Sequence, residues 1–241
     1  MSSNTPFWDF SRFLKTLSYF DALPGLGCLW RWLGWPPALD PSLNPPLDPS
    51  TSPDSTGDRP QEHTLFDFTT LSPVALSATW GALDDVVMGG VSASTLQPTA
   101  DGALFTGNVS IANSGGFASV RTRNFTQPLD LSADSGIHLQ IKGDGNRYKF
   151  LMRSDVGWDS LAHAYSFDTP TDQWCDVYIP FASLVPVFRA KTVANAPPFN
   201  AAQVYSMQLM LSKFEYDGAL NPHFTPGRFA LCIAKIQGYS A

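Results

Sequence analysis

A chain of 241 residues that is 44% apolar and 15% charged is long enough for one large folded domain with an appendage, and too apolar to be disordered throughout. Its formal net charge of −6 is spread evenly, residues 1–62 holding 4 basic and 7 acidic side chains and residues 63–241 holding 11 and 14, so neither part offers the cationic stripe that nucleic acid requires. Three widely spaced cysteines, Cys28, Cys175 and Cys232, do not make a disulfide framework and read as thiols in a reducing, cytoplasmic compartment.

From the N-terminus, apolar side chains at Phe7, Phe10, Phe13, Leu14, Leu17 and Phe20 recur in steps of three and four, which predicts one amphipathic helix. Pro24, Gly25 and Gly27 end it. A second apolar piece follows from Cys28 to Trp35, and with Trp8 the tryptophans Trp30, Trp32 and Trp35 place four of the seven in the first 35 residues. Asp9, Arg12 and Lys15 interrupt any signal-peptide core, and the nine residues from Ala22 to Trp30 fall well short of the roughly 20 needed to span a bilayer. Residues 1–35 are therefore expected to form an aromatic-rich segment with three open uses: an in-plane membrane anchor, a docking helix for a partner protein, or a helix packed on its own domain. The docking candidates are Phe7, Trp8, Phe10, Phe13, Leu14, Leu17, Trp30, Trp32 and Trp35.

Residues 36–62 are expected to be a linker. Pro36 to Pro60 holds eight prolines among Ser, Asp and Thr and no aromatic residue, too little apolar surface to offset the entropy of ordering. From residue 63 to 241 the pattern changes to short alternating runs between Gly, Pro, Asn and Asp. Strands are predicted at Thr64–Phe68, Ala103–Ile111, Phe117–Arg123, Gly136–Ile141, Tyr148–Ser154, Ala162–Phe167, Trp174–Ile179, Tyr205–Leu211 and Arg228–Ile236. Many short strands with turn signals and no long helical period argue an all-β sandwich or barrel. Lys142 to Arg147 reads as the clearest hairpin, since Gly and Asn accept positive φ.

Trp80 to Ser92 is too irregular for a core strand. Paired acids at Asp84 and Asp85 precede Met88, Gly89, Gly90 and Ser92, and the glycines suit a sharp turn or a close approach of backbone. The run from Asp85 to Ser92 resembles the hallmark Asp-x-Val-Met-Gly-Gly-x-Ser of the complex I intermediate-associated protein family. Gly107–Ser110 with Asn113 to Arg121 is similar to that family's second signature, and Gly143 to Gly145 with Arg147 and Tyr148 to its third. Trp174, Ile179 to Phe181, Phe188 with Arg189, and Gly227 to Leu231 complete the order. The resemblance runs over about 175 residues, from Leu65 to Tyr239. Leu17 to Phe20 and Phe214 to Gly218 look like members from photosynthetic microbes. One departure is Ala190, where the family pattern usually has glycine after the arginine, so the loop geometry there is expected to differ.

The resemblance implies a galactose-binding-like jelly roll and a non-catalytic role in assembling or stabilising a respiratory or photosynthetic membrane complex, on the inner or thylakoid membrane. It also implies a partner-binding rim of Trp80, Asp84, Asp85, Met88, Gly89, Gly90, Ser92, Asn113, Gly116, Phe117, Arg121, Asp144, Arg147 and Tyr148. Read as residues alone, Asp84 and Asp85 have two uses: to receive a partner's basic group or a metal ion, or to organise loop N–H groups with Arg121 or Arg147. No nucleophile with a base is visible, so no enzyme activity is expected. His63, His138, His163 and His223 lack ligand spacing, so neither a metal nor a cofactor is expected, although loop carboxylates leave calcium open. A lectin-like carbohydrate module, with Trp158 and Tyr165 as platforms, is the alternative.

Overall fold

The computed structural model describes residues 10–19 and 61–240. Phe7, Trp8, Trp30, Trp32, Trp35, Cys28 and the linker expected at 36–62 up to Pro60 lie outside the described residues. Within them the predicted N-terminal helix forms as α1 (Phe10–Tyr19).

The nine predicted strands all form, and four more appear. In chain order they are β1 (Gln61–Asp67), β2 (Trp80–Ala82), β3 (Ala93–Thr99), β4 (Gly102–Val109), β5 (Phe117–Thr122), β6 (Gly136–Lys142), β7 (Arg147–Arg153), β8 (Ala162–Asp168), β9 (Trp174–Pro180), β10 (Val185–Phe188), β11 (Lys191–Thr192), β12 (Ser206–Ser212) and β13 (Gly227–Ser240). The strands not anticipated are β2, β3, β10 and β11. Pro98 in β3 and Pro186 in β10 mask the strand pattern, and both strands lie at or beside a sheet edge, where a residue without an N–H is tolerated. A second helix, α2 (Pro73–Thr79), was also not anticipated; Pro73 opens it and the Ser72 hydroxyl accepts from the Ala75 amide at 3.2 Å as its N-cap.

The named strands all pair antiparallel and make two sheets, a jelly-roll sandwich. One sheet runs β3-β4-β13-β6-β9 with β1 also on β13, and the other runs β11-β10-β8-β7-β12-β5-β2. The register of β13 shifts between Ile233 and Lys235. That irregularity lets one long strand pair with β4 through Ile233 and with β1 from Lys235 onward.

Period-two alternation decides which side chains fill the core. Tyr148, Phe150 and Met152 of β7 and Met207, Leu209 and Leu211 of β12 face Ile137, Leu139 and Ile141 of β6 and Leu231 and Ile233 of β13, all buried. Each such side chain contributes about 2 kcal/mol on burial. A one-residue slip of β7 would turn Lys149 toward the core, so the register is strongly specified. Phe66, Phe68 and Trp80 close one end of the core, with Trp80 edge-on to both phenylalanines at 5.5 and 5.9 Å between ring centroids. Helix α1 lies against β2 and the turn that follows it, and its Leu17 is buried.

Candidate functional site

Between β2 and β3 the chain makes a 3-10 turn, Asp85–Met88, that ends on Gly89 in the left-handed region at φ 90°. The turn folds back so that Gly90 sits against the Asp85 carboxyl group; a Cβ there would come within 2.3 Å of it. From the opposite side Gly115 approaches the same carboxylate so closely that a Cβ would lie 2.5 Å from Oδ2. The glycines are thus required by the approach of backbone to a buried carboxylate.

Asp85 accepts four hydrogen bonds: from the Ser92 amide at 2.9 Å, the Ser92 hydroxyl at 2.6 Å, the Gly116 amide at 2.7 Å and the Phe117 amide at 3.3 Å. Asp84 also accepts four, from the Ser94 hydroxyl at 2.5 Å, the Ser94 amide at 2.9 Å, the Ser119 amide at 3.1 Å and the Arg12 guanidinium at 3.0 Å. Both carboxylates are 1% exposed, so their charge is held by donors and not by water. Burial pushes the Asp84 carboxyl up to about 6, against the opposing pull of the Ser94 and Ser119 hydrogen bonds and the Arg12 charge.

The pairing expected for Asp84 is corrected here. Its cation is neither Arg121 nor Arg147 but Arg12 of α1, whose terminal nitrogen also donates to the Ser92 carbonyl at 3.0 Å. Arg121 lies in β5 on the face away from the core and donates to the Trp158 carbonyl at 2.6 Å. Arg147 donates to Glu215 at 2.9 Å and to Asp168 at 2.6 Å.

The expected contact rim is therefore not one surface. Trp80, Asp84, Asp85, Gly90, Ser92, Gly116, Arg121 and Tyr148 are buried, so none offers a side chain or Cα to a partner while the loops and α1 stay in place. Met88 and Asn113 are exposed, and Gly89, Phe117, Asp144 and Arg147 are half-buried. Asn113 holds φ at 53° in the turn before Gly115 and Gly116. Asp144 organises the β6–β7 hairpin, accepting from the Tyr148 hydroxyl at 3.0 Å, the Asn146 amide at 3.1 Å and the Ala230 amide at 2.8 Å. Burial and the neighbouring Asp144 carboxylate hold the Tyr148 phenol well above its ordinary value.

A cluster that sequence reasoning missed covers the outer face of the seven-stranded sheet. There Arg121, Lys149 and Arg153 are packed with Gln208 beneath the loops 155–160 and 213–217. Lys149 donates to the Phe214 and Glu215 carbonyls at 2.6 and 2.7 Å and lies 4.6 Å above the Tyr216 ring. Arg153 donates to Gln208 at 2.9 Å, and its Nε is buried with no hydrogen-bond partner among the described residues. Burial lowers Lys149 to about 8, Arg121 to about 10 and Arg153 to about 9, the last also through the Arg121 charge. The signal was present in the alternation, since Lys149 and Arg153 fall opposite Tyr148, Phe150 and Met152 on β7.

Open grooves lie among the described residues. One of about 690 Å³ is lined by Arg147, Tyr165, Ser166, Glu215 and Tyr216, with Ser166 donating to Glu215 at 2.5 Å. Another, of about 270 Å³, is lined by Asp101, Lys142, Asp144, Asp172 and Cys232. Beside it Lys142 lies 5.8 Å over the Trp174 ring. On β6, His138 lies 2.9 Å from Asp176 and 3.1 Å from Glu62 and stacks on Tyr178. His163 on β8 lies 3.2 Å from the Pro197 carbonyl oxygen. Cys175 and Cys232 are free thiols. No group of metal-ligating side chains occurs among the described residues, and none of their helices is long and apolar enough to cross a membrane.

The family model described as Complex I intermediate-associated protein 30 (CIA30) matches residues 66–233. No curated protein matches. Among solved structures, the chain is similar to the family 11 carbohydrate-binding module of the cellulosomal cellulase Lic26A-Cel5E of Clostridium thermocellum. That match has 18% identity and a TM-score of 0.49 and covers 76% of this chain and 97% of the module. An agarase, AgWH50C, matches at 8% identity and a TM-score of 0.48, over 75% of this chain and 24% of the agarase.

Proposed function

Because this chain belongs to the Complex I intermediate-associated protein 30 (CIA30) family, we propose that it is a non-catalytic protein-binding module that helps assemble or stabilise a membrane protein complex, respiratory or photosynthetic. The observation that carries this reading is the family match over residues 66–233, which takes in the whole run from the Asp84–Ser92 turn to β13. It is supported by the chemistry of the turn itself: the carboxylates of Asp84 and Asp85 are consumed by hydrogen bonds, which suits a binding scaffold and leaves neither of them free to act as a base. The partners are protein subunits, with no nucleic acid, cofactor or metal involved.

Peripheral contact with a thylakoid or inner membrane belongs to the same proposal. Phe10 at 55% exposure and Leu14 at 38% present apolar surface on α1 while Leu17 is buried. The test is purification of the tagged full chain from native membranes in mild detergent. Subunits of one membrane complex should co-purify, and their absence would sink the reading. Replacing Phe10 and Leu14 together by serine should reduce co-sedimentation with membranes; unchanged sedimentation removes the membrane contact.

One observation favours a second reading. The larger groove puts Tyr165 and Tyr216 beside Arg147, Ser166 and Glu215, a mix of ring and polar surface that suits a saccharide. Selective binding on a glycan array, lost in Tyr216→Ala, would move the lectin-like alternative ahead.

A further inference from the structure

We propose that the Asp84–Ser92 rim is a guanidinium socket, filled within the chain by Arg12, and that the partner recognised there presents an arginine on a short amphipathic helix that displaces α1. This inference rests on the protein-binding reading above and names the chemistry of its partner.

The socket is built by the sandwich alone. Asp84 Oδ2 and the Ser92 carbonyl oxygen come from the two ends of one turn and converge on a single nitrogen, 3.0 Å from each. The turn is held in that shape by Asp85, which ties the Ser92 amide and hydroxyl to the Gly116 amide. Asp84 is buried, and its other contacts are neutral hydroxyl and amide groups, so a cation completes it. A planar guanidinium, which is more weakly hydrated than an ammonium, suits this two-acceptor arrangement.

The cation that fills the socket is not part of the sandwich. Arg12 belongs to a ten-residue helix joined to β1 by residues 20–60, a connection of 41 residues. A group tethered over such a length behaves as a linked ligand with a limited effective concentration, which a partner of comparable chemistry can outcompete. The apolar seat of α1 is also incomplete. Leu17 is buried and Phe13 half-buried, but Phe10 and Leu14 face solvent, as does Met88, at 75% exposure, on the turn against which α1 rests. A longer helix with an arginine and an apolar stripe would cover Met88 as well as replace Arg12.

The experiment uses the full chain and two labelled peptides with the α1 sequence, residues 10–19: one natural, one carrying Arg12→Gln. Fluorescence anisotropy reads their affinity for the wild-type protein and for the protein variant Arg12→Gln. Weakening the internal competitor should make the variant bind the natural peptide about tenfold more tightly than wild type, and the Gln peptide should bind the variant about tenfold more weakly than the natural one. Equal affinities for the two peptides, or equal affinities of the two proteins for the natural peptide, overturn the proposal. If Arg12→Gln does not fold, Leu17→Asn, which loosens α1 without altering the socket, takes its place with the same two peptides. Complex subunits captured equally by wild type and Arg12→Gln would overturn the socket and leave the assembly reading standing. Peptide exchange without any subunit captured would do the reverse.

Discussion

At the rim, the carboxylates of Asp84 and Asp85 are each met by four donors, most of them backbone amides and serine hydroxyls; on the outer face of the seven-stranded sheet, Arg121, Lys149 and Arg153 are met by carbonyl oxygens and Gln208. Both regions remove charge from water, and both replace water mainly with neutral dipoles. They differ in where the remaining counter-charge comes from. The cationic face takes Glu215 and Asp159 from the loops that cover it, whereas the anionic rim takes Arg12 from a helix 72 residues earlier in the chain. A site sealed by its own loops can only open by local unfolding, but a site completed by a separate helix can exchange its occupant without disturbing the sheets.

The largest effect is expected at the anionic rim. Asp85→Ala leaves the buried Ser92 and Gly116 amides and the half-buried Phe117 amide without an acceptor and should cost about 3–5 kcal/mol in denaturant unfolding. A loss below about 1 kcal/mol would mean that the cage is not what shapes the turn. On the cationic face, Lys149→Met strands two loop carbonyls but also removes a buried charge, so its cost should be smaller, about 1–2 kcal/mol. Its clearer signature is in pH dependence. Burial lowers the folded pKa of Lys149 to about 8, so the penalty for burying the ammonium is full below pH 8 and relieved as pH rises toward the unfolded value. Wild type should gain stability over that window, and Lys149→Met should gain less.

The rim should show the mirror image. Asp84 is raised to about 6, so its burial penalty is full above that pH and is relieved as pH falls toward the ordinary carboxylate value of 3.8. Asp84→Asn should remove this contribution to the stability profile between pH 6 and 4, whereas Arg12→Gln should move the Asp84 titration upward, as followed by carboxyl-carbon NMR. An unshifted titration in Arg12→Gln would separate α1 from the rim.

The smallest effect concerns the turn that carries Arg189 to Asp159, the carboxylate that also favours the charged forms of Arg121 and Arg153. Arg189 and Ala190 both sit in the left-handed region, at φ 49° and 61°, so the turn adopts a glycine-like backbone without the glycine. Ala190→Gly should raise stability by about 1 kcal/mol, seen as a higher unfolding midpoint. A decrease would show that the alanine methyl packs usefully there.

Much of this is legible in the amino-acid sequence. Alternation located nine strands to within a few residues, because a strand with one face in the core must repeat with period two. The irregular stretch at Asp84–Ser92, with its glycines, announced close approach of backbone, and Gly90 does press on Asp85. The short strands β2, β10 and β11, the longer but proline-marked β3 and helix α2 were not readable, since they are too brief or too proline-marked to show a period and owe their conformation to the neighbours they pair with or lean on.

Local pattern, in short range, settles which side of a strand a residue faces and where the chain must turn, because these depend on backbone sterics and on neighbours a few positions away. Which charges meet was left to the tertiary structure. Arg12 finds Asp84, while Arg121 turns to a loop carbonyl and Arg147 to Glu215 and Asp168. Such partners are brought together by helix docking and loop closure across many residues, and the desolvation that shifts their proton affinities exists only once those pieces have closed over them.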